Sequence, residues 1–156
     1  MKRDQVSNTV TQLAFEFFFS FSRFESALKE NGFLKSKKPG VRADPSWELF
    51  VLQWERGYTS SASAQSLIAL SPQTQVVAEG GRLDWTPTVP KDSMSELGVV
   101  VLMLKTVRNN LFHGAKHGAA NWDDLERTSE LMVSATSILP ELAKMAGLET
   151  DYCRSY

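Results

Sequence analysis

The residues best able to do chemistry stand close together: Arg108, Asn109 and His113, within Val107-Arg108-Asn109-Asn110-Leu111-Phe112-His113-Gly114-Ala115-Lys116. On a helix Asn109 and His113, four apart, stack on one face. Arg108 stands roughly 100° round from Asn109, so all three can edge one cleft with Phe112 as a wall between them. An arginine, an amide and a histidine with no carboxylate or thiol cluster beside them suit phosphate chemistry. The guanidinium is a fixed cation for an oxyanion, the amide orients, and the imidazole moves a proton near neutral pH. RNA suits the set in particular, because its 2′-hydroxyl is its own nucleophile and neither a metal nor a covalent residue is needed. Lys116 and His117 follow, but two histidines without flanking acids or thiols make a poor metal site. No metal and no cofactor is expected. The alternative is structural: basic side chains in the last turns of a helix meet its negative end, and Gly114 is then only the C-cap.

The helix that must carry these residues is signalled by Leu97, Val101 and Leu104 on one stripe and Val100, Met103 and Val107 on the next. Arg108 falls where the first stripe calls for another apolar residue, a local rule broken as happens at functional sites or buried ion pairs. Ser93-Met94-Ser95-Glu96 has the form of a capping box for its start, and Gly114 marks its end. Upstream, Val10, Leu13, Phe17, Phe21, Phe24 and Leu28 predict a first helix over residues 6–29, stopped by Asn31-Gly32. Phe15, Phe18 and Phe19 lie off that stripe, so this helix needs cover on more than one side, from a central position or from a second subunit. Asp44-Pro45 predicts the start of a second helix bearing Trp47, Phe50, Val51 and Trp54 and ending near Gly57. A short third helix follows over residues 60–70. Residues 71–92 read as a long irregular loop, with only a weak hairpin signal around Gly80-Gly81. Asn121 and Asp124 predict the opening of a fifth helix, apolar at Leu125, Met132, Ala135, Leu139 and Leu142, kinked or split at Pro140 and stopped at Gly147.

The chain has 156 residues, 42% hydrophobic and 22% charged, which suits one globular domain over 1–156 and excludes disordered or fibrous classes. A net charge of -1 gives no global field for nucleic acid or an anionic membrane, so any RNA contact must be local. The basic neighbourhood of Lys35, Lys37, Lys38 and Arg42 reads as a solvated loop. The single cysteine, Cys153, allows no intrachain disulfide. No secretory signal pattern and no spanning apolar run is visible, which predicts a cytoplasmic protein without a membrane partner.

The run from Val107 to Lys116 resembles the signature of the HEPN superfamily: Arg, a polar residue, and His after a few intervening positions at the end of a long apolar helix. Phe21-Ser22-Arg23-Phe24-Glu25-Ser26-Ala27-Leu28-Lys29 with Gly32-Phe33 resembles the first helix of its stand-alone bacterial members, and the Trp47 region their second. The resemblance implies an all-α, up-and-down bundle of about five helices that forms a homodimer with one composite ribonuclease site. It places Arg108 and His113 at the catalytic positions and Asn109 at the polar one, with Glu25 as a supporting acid and Lys116 and His117 nearby. It implies a metal-independent endoribonuclease in a toxin or defence setting, with RNA as substrate and an antitoxin or other protein as possible partner. A silent module that binds a protein or nucleotide is the alternative. Members paired with nucleotidyltransferase antitoxins carry a modified Tyr two positions after the motif His, where this chain has Ala115.

Overall fold

The computed structural model describes residues 8–112 and 125–154. Among them are six α-helices and one small hairpin: α1 Asn8–Glu30, α2 Trp47–Trp54, α3 Ala62–Ala69, β1 Gln73–Val77, β2 Leu83–Pro87, α4 Glu96–Phe112, α5 Leu125–Met145 and α6 Glu149–Tyr152. The fold is therefore mostly α, with a sheet component where an irregular loop was expected. Among the described residues no helix is long and apolar enough to cross a membrane.

The long helices follow the apolar periodicity. Val10, Phe17, Phe21, Phe24 and Leu28 of α1 are buried, as are Met132, Ala135, Leu139 and Leu142 of α5, against which α1 packs most extensively. Aromatic rings fill the space between α1 and α2. Phe24 stacks on Trp47 at 5.0 Å and meets Phe50 edge-on at 5.4 Å, geometries that add to the burial energy of the rings. Gly32 adopts φ +78 and lets the Phe33 amide reach Leu28 O at 2.9 Å, which closes α1; Gly147, at φ +68, closes α5 the same way through Leu148 N and Ala143 O at 2.8 Å. Pro140 does not split α5, which runs unbroken through it, although the proline supplies no amide to the carbonyl four residues back.

Two expected helix starts are displaced. The cap of α2 is Ser46, whose Oγ accepts from Leu49 N at 3.3 Å, while Pro45 forms an isolated β-bridge with Leu34 instead of opening the helix after Asp44. At α4 the capping oxygen belongs to Ser95, which accepts from Gly98 N at 3.2 Å. Glu96 does not complete a capping box with Ser93; its carboxylate accepts the Ser60 amide at 2.9 Å and ties the start of α4 to the start of α3.

The hairpin pairs β1 and β2 antiparallel, from Gln73 opposite Pro87 to Val77 opposite Leu83. Its turn is made possible by Gly80 and Gly81 at φ +74 and +76. The outer edges are partly taken up near the end that meets α4. Pro87 has no amide to offer, the Trp85 amide donates to Asp84 Oδ1 at 2.8 Å, and Gln73 O accepts from Asn110 Nδ2 at 2.7 Å. That last bond seats the hairpin on the end of α4. Arg127, in the first turn of α5, donates to Leu70 O and Ser71 O, so the ends of α4 and α5 are held by the same four-residue turn.

Candidate functional site at the end of helix α4

Lys105, Arg108, Asn109 and Phe112 are three and four positions apart and share one outward face of α4. Arg108 is half-buried. Its Nη1 donates to Asn109 Oδ1 at 3.1 Å, and its guanidinium carbon lies 5.0 Å from the centroid of the Phe112 ring and 5.9 Å from that of Phe21 on α1. It pairs with no carboxylate among the described residues. A guanidinium is always charged, and stacking on two rings orients it without neutralising it. Arg108 therefore presents a fixed positive charge at the edge of the α1–α4 contact, with donors that meet no acceptor but Asn109 among the described residues. Asn109 is exposed and steadies that charge through its amide oxygen.

His113, the expected proton carrier, lies outside the described residues, as do Gly114, Lys116 and His117. The same holds for Asn121 and Asp124 at the expected opening of α5. The structure thus brings together Arg108, Asn109 and Phe112 of the sequence-based set. Glu25 has a different partner: its Oε1 accepts from the indole Nε1 of buried Trp47 at 3.0 Å. That bond satisfies an indole donor which burial would otherwise strand.

Lys105, one turn before Arg108, adds a second cation that sequence reasoning passed over. It lies 3.6 Å from Glu48 Oε1 on α2, an open pair on the surface that contributes little to stability. The Glu48 carboxyl sits below the ordinary carboxylate range, held down first by its own backbone amide and then, against a burial effect of opposite sign, by Lys105. The loop cations Lys37, Lys38 and Arg42 are exposed, and Arg42 is engaged by Asp44 at 2.6 Å.

Phe18 on α1 meets Phe112 at 5.0 Å between centroids, and Phe15 and Phe19 stack on each other at 6.3 Å further round the same helix. These four rings remain 64% (Phe15), 44% (Phe18), 55% (Phe19) and 47% (Phe112) exposed, so nothing in the described chain supplies the cover that α1 was expected to need. The Phe18–Phe112 pair lies beside Arg108, and the Phe15–Phe19 pair lies further round α1. A separate cavity of about 60 Å³ lies beneath the hairpin, lined by Pro72, Trp85, Asn110, Leu111, Arg127 and Met132. It is small and mostly apolar in its lining, and it lies away from Arg108 and Asn109.

Among the described residues no three His, Cys, Asp or Glu side chains converge to hold a metal ion. Comparison with protein-family models, with curated proteins and with solved structures finds no match to this chain.

Proposed function

We propose that the chain is an endoribonuclease of the HEPN type that cleaves RNA without a metal ion, in a cytoplasmic toxin or defence setting. The observation that carries this reading is Arg108: a half-buried guanidinium, oriented by Asn109 and Phe112, with no carboxylate partner among the described residues. Such a charge is placed for an anion from outside the chain, and a phosphodiester next to His113 in sequence is the anion the motif suits. In this mechanism the 2′-hydroxyl of the RNA attacks the adjacent phosphorus and its proton passes to a general base. The 5′-oxygen leaves with a proton from a general acid, and the products are a 2′,3′-cyclic phosphate and a 5′-hydroxyl. His113 serves as base or acid, and Arg108 stabilises the charge gathering on the phosphorane oxygens. The exposed Phe15 and Phe19 support a homodimer built along α1, which would set two copies of the motif around one cleft.

Purified protein incubated with end-labelled RNA should cleave in the presence of EDTA and leave a cyclic phosphate, while the matching DNA stays intact. His113→Ala and Arg108→Ala should each slow cleavage by about 100-fold or more. Mixing the two inactive variants should restore part of the activity, because a shared site then receives one intact residue from each copy. Undiminished cleavage by both variants would sink the assignment. A folded protein that binds a protein or nucleotide partner but never cuts RNA would make it the silent module instead.

A further inference from the structure

We infer that Phe18 and Phe112, with Arg108 laid on Phe112, form a stacking platform for unpaired nucleobases of a single-stranded nucleic acid. The inference rests on reading the end of α4 as a nucleic-acid site, and it names what holds the strand there. The two rings meet at 50°, with the Arg108 guanidinium over that of Phe112, and each stays nearly half exposed. Every base has a π-face, and stacking on an aromatic side chain needs no particular sequence. The polar side of the same surface is cationic: Arg108 on the ring itself and Lys105 one turn away are placed for the phosphates of a strand whose bases lie on the phenyl groups. This juxtaposition of half-exposed rings and a cation without a carboxylate partner among the described residues favours a ligand that alternates flat apolar groups with anions.

A second copy of the chain fits these two rings less well. Together they leave roughly 200 Å² of aromatic surface open, far short of the roughly 800 Å² per partner of a stable interface. Seating a copy on them would also enclose the Arg108 charge, which has no counter-ion among the described residues, and such burial is costly. The Phe15–Phe19 pair, further round α1, remains available for a copy-to-copy contact.

The test uses DNA, which lacks the 2′-hydroxyl and so separates binding from cleavage. Fluorescence anisotropy at low salt compares a labelled thymidine decamer with a decamer of the same backbone and charge whose sugars carry no bases. The base-bearing strand should bind about tenfold or more tightly. Phe112→Leu and Phe18→Leu, apolar but without a π-face, should each remove most of that preference, lowering the base-bearing strand's affinity far more than the abasic strand's; Phe112→Trp should retain it. Equal affinity for the two strands, binding of neither, or an equal loss for both in Phe112→Leu would overturn the proposal. So would a base preference untouched by the leucine variants while light scattering shows them falling from dimer to monomer, since the rings would then belong to a subunit contact. Base-dependent binding with no RNA cleavage would leave the platform standing and remove the nuclease reading. Cleavage with no base preference would do the reverse.

Discussion

Two arginines interrupt apolar helix faces in this molecule, and they end in opposite environments. Arg23 of α1 is 8% exposed, and its Nε and Nη2 donate to Tyr152 O, Asp151 O and Arg154 O at 3.0, 2.7 and 2.6 Å. Those carbonyls lie at the C-terminal end of α6, where a helix has acceptors without donors and a partial negative charge. Asn31, just past the end of α1, adds a bond to the Asp151 carboxylate at 2.8 Å, so α6 is clasped both to α1 and to the turn that follows it. Arg108, by contrast, spends one donor on its neighbour Asn109 and rests on aromatic rings. The same break in pattern serves closure of the chain at one place and, at the other, leaves a charge with no carboxylate partner among the described residues. A broken stripe therefore locates a constrained residue, and its partners decide what the constraint is for.

Substituting each arginine by methionine, which keeps an unbranched apolar stem, puts that contrast to its strongest test. Arg23→Met leaves three carbonyls without their charged donor and should cost about 3 kcal/mol or more, a fall in Tm of roughly 6–12 °C for a chain of this length. Arg108→Met should move Tm by no more than about 2 °C, yet lower RNA cleavage by about 100-fold or more. Calorimetry and the cleavage assay on both variants decide it. If both lose stability alike, Arg108 is a second structural arginine.

Glu25 sharpens the comparison from the other side, since its sequence position suggests chemistry and its partner is structural. Glu25→Ala strands the buried Trp47 indole and should cost about 1 kcal/mol, whereas Glu25→Gln keeps an acceptor and should stay near the parent in both Tm and cleavage. A Glu25→Gln protein that melts like the parent but cleaves far more slowly would reinstate Glu25 as a supporting acid.

How much of this was legible in the sequence depended on how local the controlling interaction is. The α1 and α5 stripes and their Gly32 and Gly147 stops were readable because period and cap lie within a few residues. The hairpin was signalled only weakly, because QTQVV and LDWTP bury no clean alternating face; what holds them is the amide of Asn110, far away in sequence, and the seating of Trp85 beside Leu111 and Met132. The starts of α2 and α4 were misplaced for the same reason, as Pro45 and Glu96 were taken up by Leu34 and Ser60. Arg108 stood out as a broken stripe. Arg23, four before buried Ala27, carried a comparable signal, but its partners sit more than a hundred residues on and could not be named from sequence.

The smallest expected effect concerns that misplaced capping carboxylate. Glu96 is exposed, and its carboxyl lies below its ordinary value near 4.5, first through the Ser60 hydroxyl and then through the Ser60 amide, with a minor burial effect against them. The amide bond is well formed at 2.9 Å; the hydroxyl makes no well-formed bond, so the amide is the firmer cause. A carboxyl whose folded value is depressed stabilises the fold at pH above its ordinary value, and that contribution fades as pH falls from about 4.5 through the folded value. Glu48, depressed with help from Lys105, acts in the same direction. Glu96→Gln keeps an acceptor for Ser60 but cannot ionise, so it should melt slightly below the parent at pH 6, and the gap should close as the parent is protonated toward pH 3. A gap that stays constant over that range would mean that Ser60 recognises the shape of the Glu96 side chain and not its charge.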